Sequence, residues 1–163
     1  MPHIHELIDF IAEIYIVHNN KVLLTMHKKI KQWLPVGGHI ELDEDPLQAL
    51  EREIKEETGL KKVEIIHQIK YNNIQKTEAF TMLKLLPTPF FMDIHCYASG
   101  KHKHIDLTYI GKSKTDRVKT LKSESDGLRW FSILEIDDHK NKILPVVRFC
   151  AKEAIKIAGQ TDG

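Results

Sequence analysis

The chain has 163 residues and a formal charge of +1 with neutral histidines. That length suits one domain with a real core, expected over residues 1–163, and the near-balance of charge gives no general nucleic-acid-binding footprint. Cys96 and Cys150 fit no zinc or disulfide spacing, no apolar run is long enough to span a bilayer, and MPHIHELIDF lacks a secretion-signal pattern, so a cytoplasmic protein with reduced thiols and no membrane contact is expected.

In chain order, LIDFIAEIYIVHNNKVLLTMH reads as two strands joined at Asn19-Asn20. β-branched and aromatic residues fill both runs, and Asn-Asn is turn chemistry. WLPVGGHIE carries Pro and paired Gly, so it reads as a turn or loop feeding a short strand. Asp45 followed by Pro46 predicts an N-cap and a first helical residue. Gly59 predicts the helix stop, which bounds a helix over Pro46–Thr58. Leu47, Leu50 and Ile54 recur at three and four and give it one apolar stripe. A strand is expected from Lys62. Residues 71–89 have no clear pattern, and Pro87 and Pro89 mark a loop. FFMDIHCYA, HIDLTYIGKS and LRWFSI read as strands, and an amphipathic helix starts at Pro145. Strands interrupted by helix predict an α/β or α+β domain with a mixed sheet.

The helix over Pro46–Thr58 breaks a local rule. Glu53 shares a face with Glu56 and Glu57, three and four residues on. Like-charge pairs at this spacing cost about 0.2–0.5 kcal/mol each. Acids in the last turn also oppose the helix dipole, at about 0.3–1 kcal/mol each. Arg52 and Lys55 relieve only part of this. A cation would resolve the conflict, because converging carboxylate oxygens suit hard divalent ions such as Mg²⁺. A solvated acidic face explains the same cluster equally well, since Glu is a good helix former.

The spacing decides between them. From Gly38 the chain reads Gly, five residues, Glu44, seven residues, then Arg52-Glu53-Ile54-Lys55-Glu56-Glu57-Thr58-Gly59-Leu60. This resembles the box of the Nudix hydrolases at every constrained position, although it covers only 23 of the 163 residues. The flanking WLPVGGHIE and SESDGLRWFSILEI agree more loosely.

The resemblance implies an α/β/α sandwich around a mixed sheet. It implies a divalent cofactor, Mg²⁺ or Mn²⁺, held by Glu56 and Glu57, with Glu53 as ligand or base. Arg52 would orient these carboxylates, and the carbonyl of Gly37 would be a backbone ligand. Glu44 would be structural, while Gly38 and Gly59 would serve backbone geometry. Members often recruit an acid from outside the box; Glu124 is the first candidate and Asp126 the second. The implied reaction is hydrolysis of a nucleoside diphosphate linked to another moiety. The partner is then a nucleotide or other diphosphate-containing small molecule.

The substrate is less legible. Positions that mark the ADP-ribose and dinucleoside polyphosphate groups hold Ile74, Gln75, Lys76, Thr77 and Glu78 here, without the expected Pro or Tyr. By elimination, a (deoxy)nucleoside triphosphate pyrophosphohydrolase is expected. Alternatives on the same fold are a sugar-nucleotide, ADP-ribose, isoprenoid diphosphate or RNA 5′-end enzyme, or a non-catalytic nucleotide sensor. Intact Glu53 and Glu56 argue against the sensor.

Ten histidines remain to be placed. His102 and His104, with Asp106 next on the same face, are read chiefly as strand histidines and secondarily as a second metal or substrate site. His3 and His5 repeat the pattern at the N-terminus. His39 is a candidate for phosphate contact. Lys28, Lys29, Lys31 and Arg129 are candidates by position only. Trp33 and Trp130 are read as core before base-stacking residues.

Overall fold

The structure, a computed structural model, describes residues 7–66, 84–96, 100–120 and 125–161. Strand β1 (Ile8–His18) is the centre of the sheet. It turns back into β2 (Lys21–His27) with Val17 opposite Val22 and His18 opposite Lys21. The two-residue loop is Asn19-Asn20, and both residues have positive φ, 47° and 58°. That is the hairpin geometry matching strand twist, and Asn tolerates it.

The predicted loop around Pro35 resolves into two short strands. β3 (Trp33–Leu34) pairs with β2, and β4 (Val36–His39) pairs with the N-terminal half of β1. Pro35 has no N–H to donate and sits where the chain leaves one ladder for the other. β1 therefore has two antiparallel partners along one edge, β4 beside Ile11–Ile14 and β2 beside Ile16–His18.

Along its other edge β1 runs parallel to β7 (Lys103–Lys112) over its whole length. β7 is flanked by β6 (Phe91–Cys96) and by β5 (Glu64–Ile65). The strand expected from Lys62 is described only for Glu64–Ile65 before its remainder leaves the described residues. β8 (Ser125–Phe131) pairs with β2 and completes a mixed sheet.

Helices cover both faces. α1 (Pro46–Thr58) lays Ala49, Leu50 and Ile54 on Ala12, Ile14 and Ile16 of β1. α3 (Pro145–Gln160) lays Val147, Ala151, Ala154 and Ile155 on the opposite face, against Tyr15 and Val17. Alternate β1 residues thus enter two different cores, which is why this strand is nearly continuously apolar. The architecture is the expected α/β/α sandwich.

The α1 boundaries follow their signals. The Asp45 carboxylate accepts from the backbone N–H of Leu47 (2.9 Å) and Gln48 (3.1 Å), and Gln48 reciprocates by accepting from the Asp45 N–H. Gly59 ends the helix with φ 69°, and its N–H donates to the Lys55 carbonyl. Asp45→Ala removes the cap and is expected to destabilise the fold by about 1 kcal/mol, whereas Asp45→Asn keeps an acceptor and most of the stability. Urea unfolding of both variants checks this.

A short helix not anticipated from sequence, α2 (Ile133–Asp137), follows β8. Its signal is the capping pair Ser132 and Glu135, which stops the strand at Phe131. The Glu135 carboxylate accepts from the Ser132 N–H (2.9 Å), the Ser132 hydroxyl (2.8 Å) and Arg129 (2.6 Å). The Ser132 N–H and then its hydroxyl hold this carboxyl at about 2. A depressed folded-state pKa means the stabilisation is present above the ordinary value of about 4.3 and is lost as pH falls toward 2. Glu135→Gln should therefore flatten the loss of stability between those limits, read from thermal melts across acid pH.

Trp33 and Trp130 are partly buried and each packs against a core. Trp33 packs edge-on against Phe131 at 4.9 Å, and the Trp130 indole N–H donates to the Asp116 carbonyl at 3.0 Å. No helix among the described residues is long and apolar enough to cross a membrane.

Candidate active site

The predicted acids gather around one arginine. The Arg52 Nε and Nη2 donate to the two carboxylate oxygens of Glu44 at 2.7 and 2.8 Å. Nη2 also donates to the His39 carbonyl at 3.0 Å, and Nη1 donates to Glu53 Oε1 at 2.6 Å. One guanidinium thereby ties together the loop before α1, the end of β4 and the helix itself. Such forked, charge-assisted contacts are stronger and more directional than neutral ones. The Arg52 hydrogen bond holds the Glu44 carboxyl below its ordinary range. Glu44 is thus the anchor of Arg52.

Glu53 is fully buried, Glu57 nearly so, and the Glu56 side chain is 48% exposed. Arg52 Nη1 reaches Glu56 only at 3.9 Å, because its fork is already engaged by Glu44 and Glu53. The helix thus presents two inward carboxylates and one at the surface.

Both glycines of β4 are explained by close approach. A Cβ on Gly38 would lie 2.5 Å from Glu53 Oε1. A Cβ on Gly37, where φ is 158°, would lie 2.3 Å from the Ala12 carbonyl oxygen and 2.7 Å from the Glu13 Cα. The first glycine leaves room for a carboxylate and the second for the neighbouring strand.

Sequence reading missed the acids next to these glycines. Glu13 lies opposite Gly37 across the β1–β4 ladder, and Asp106 of β7 hydrogen-bonds to it. Burial raises the Glu13 carboxyl well above the usual range, and the charges of Asp106, Asp93 and Glu57 raise it further. Burial likewise lifts Asp106 to about 6, against a hydrogen bond from Glu13 that lowers it. Two buried carboxyls this close disfavour simultaneous ionisation. The pair's sequence signal is an acid flanked on both sides by apolar residues in each of two strands, Glu13 between Ala12 and Ile14 and Asp106 between Ile105 and Leu107.

A second group is drawn from three strands. Asp9 of β1, His39 of β4, His104 of β7 and His102 just before β7 bring one ligating atom each to within 4.8 Å of one another. The predicted His102–His104 pair is thus part of a larger assembly that includes His39.

Several of the remaining candidates have partners of their own. Lys31 forms an ion pair with Asp126, so the second outside acid is engaged by a lysine. Arg129 is spent on Glu135 and lies over the Phe131 ring at 4.6 Å. Glu124, His3 and His5 lie outside the described residues.

A family model described as NUDIX domain matches residues 11–149. The fold superposes on a NUDIX-family hydrolase from Clostridium perfringens with a TM-score of 0.82 and 33% identity, covering 92% of this chain and 97% of that one. A MutT NUDIX hydrolase from Burkholderia pseudomallei shares the fold at TM-score 0.61 and 18% identity, covering 93% and 98% of the two chains. The m7GpppN-mRNA hydrolase NUDT17 of Xenopus laevis is 48% identical over 52 residues, 29% of this chain. That stretch is 18% of the relative, so this chain spans less than a fifth of its length. Box, sandwich and family match agree, and the chain belongs to the NUDIX hydrolase family.

Proposed function

We propose that the protein is a divalent-metal-dependent pyrophosphohydrolase, acting through one NUDIX domain on a nucleoside diphosphate linked to another moiety. The substrate class we assign is (deoxy)nucleoside triphosphates. The observation that carries this reading is the crowding of Glu53, Glu57, Glu13 and Asp106 around the paired glycines of β4. Buried carboxylates in such numbers are costly unless a positive charge completes them.

Glu53, Glu56 and Glu57 would hold Mg²⁺ or Mn²⁺, with the Gly37 carbonyl as a further donor. The donor set fits, since it is entirely oxygen. When bound, the ion lowers the pKa of water and neutralises charge on phosphoryl oxygens. The chain's own part is positioning. Arg52 fixes the Glu53 carboxylate, and its other contacts lock the loop and helix that frame the cleft. Glu53 serves there as ligand or as base. Phosphoryl transfer depends mostly on such positioning and on charge neutralisation.

The partial likeness to an mRNA-cap hydrolase favours a capped dinucleotide as the second reading. It stands second because the likeness covers 29% of this chain and 18% of that relative.

The test is a release assay for phosphate and diphosphate with Mg²⁺ or Mn²⁺. The panel holds NTPs, dNTPs, oxidised dGTP, ADP-ribose, sugar nucleotides, dinucleoside polyphosphates and a cap dinucleotide, with Glu57→Gln as control. Metal-dependent turnover of a triphosphate, lost in the control, is the expected result. Preferred turnover of the cap dinucleotide would select the second reading. No turnover of any member, with nucleotide binding intact, would overturn the hydrolase.

A further inference from the structure

The cluster of Asp9, His39, His102 and His104 is independent of the box acids, and its chemistry is different. We propose that these four side chains form a second metal centre that binds one zinc-class transition ion, separate from the carboxylate site on α1.

The first argument is the donor set. Three imidazoles and one carboxylate suit zinc and its neighbours, whereas Mg²⁺ favours oxygen alone. Among the described residues this is the group of histidines and acids with the spacing of a metal site.

The second argument is geometry. Four ligands at zinc's usual bond lengths of 2.0–2.1 Å, placed tetrahedrally, lie about 3.3 Å from one another. Asp9 Oδ2 is 3.1 Å from His102 Nε2 and 3.4 Å from His39 Nε2. Two edges of the tetrahedron are therefore already at their required length. The His104 ring stands 5.0 Å from that of His39 and 5.2 Å from that of His102, edge-on to both. All four ligating atoms lie within 4.8 Å, so small side-chain rotations close the remaining edges.

The third argument is the way the fold builds the site. Asp9 and His104 are direct neighbours in the parallel β1–β7 pairing. His39 stands opposite Ile11 on β4, two residues along the same face of β1. Rigid strands thus position three ligands, and the chain just ahead of β7 supplies the fourth. The Asp9 side chain is 0% exposed and the histidines are buried or nearly so. A buried carboxylate surrounded by imidazoles is stabilised by a shared cation.

Four protein ligands complete a tetrahedron, which is the mark of a structural rather than a catalytic zinc site. The ion would join β1, β4 and the chain entering β7 at one end of the sheet. It would also fix His39, whose carbonyl accepts from Arg52. The centre would then steady the arginine that orients Glu53, without touching substrate. This inference does not depend on the hydrolase reading, because the ligands lie outside the box acids.

The experiment is metal analysis and zinc titration of the chelator-stripped, folded protein, beside His102→Ala, Asp9→Asn and Glu56→Gln. Wild type is expected to take up one zinc per chain, with a higher melting temperature on loading. Cobalt in its place should give the intense visible absorption of a tetrahedral site. His102→Ala and Asp9→Asn should each weaken zinc binding on the order of 100-fold or more, while Glu56→Gln binds as wild type does. His102 lies outside a strand, so its variant is expected to fold, and apo melts establish that it does. Absence of stoichiometric zinc in wild type would overturn the proposal. So would equal zinc binding in His102→Ala and Asp9→Asn, or loss of zinc in Glu56→Gln. Nucleotide turnover enters none of these readouts.

Discussion

Glu56→Gln should lower turnover by about 10²–10³-fold or more, the scale of losing one preorganised charge-stabilising group. The same change should leave the metal-free protein equally stable or slightly more so. The Glu56 side chain is half exposed and stands 3.9 Å from Arg52, and ion pairs so exposed contribute little. What is gained is relief of a like-charge pair with Glu53, about 0.2–0.5 kcal/mol, and of an acid opposing the dipole, about 0.3–1 kcal/mol. Thermal melts of both forms in chelator, set beside their kcat with Mg²⁺, read the two effects separately. A variant markedly less stable without metal would show that Glu56 holds the helix in place. The result matters because it tests whether the last turn of α1 gives up stability for chemistry.

The two glycines of β4 should respond differently to alanine. Gly37→Ala is expected to cost about 3 kcal/mol or more, because its Cβ would fall 2.3 Å from a backbone oxygen of β1 and no side chain can rotate away. For a domain of this size that is a melting temperature lower by roughly 10 °C. Gly38→Ala should fold with a smaller loss. Its Cβ meets the end of the Glu53 side chain, which can move, but moving it breaks the 2.6 Å contact with Arg52. Displacing a positioned group by about 1 Å costs on the order of 10²-fold in rate. A melt and a turnover assay on each variant distinguish the two. Equal stability losses in both would mean that Glu53 is not free to yield, and that Gly38 is as structural as Gly37.

Much of the site was legible because its signals are local. The α1 boundaries follow from Asp45, Pro46 and Gly59, each acting within one turn of the helix end. Asn19-Asn20 is a turn by its own backbone preference. The box acids share a face because a helix repeats every 3.6 residues. The helix α2 carried an equally local signal in Ser132 and Glu135, and its capping pair defines it once the strand before it is bounded.

Other features had no local signal. Glu13 reads as an odd polar residue in an apolar strand until β4 places Gly37 opposite it and β7 supplies Asp106. Arg129 and Lys31 read as phosphate candidates until Glu135 and Asp126 engage them. His102 and His104 gave half of a metal site; Asp9 and His39 come from distant parts of the chain.

The sequence by itself determined the family, the position of the acidic helix α1 and which of its residues carry charge. Periodicity, caps and fixed motif spacing depend only on neighbours along the chain. The tertiary structure alone decided that Arg52 is divided between Glu44, Glu53 and His39, that Glu13 and Asp106 are buried side by side, and that three histidines and an aspartate meet at one end of the sheet. Those arrangements depend on strand register between segments far apart in sequence, where a slip of one residue would turn each side chain to the other face.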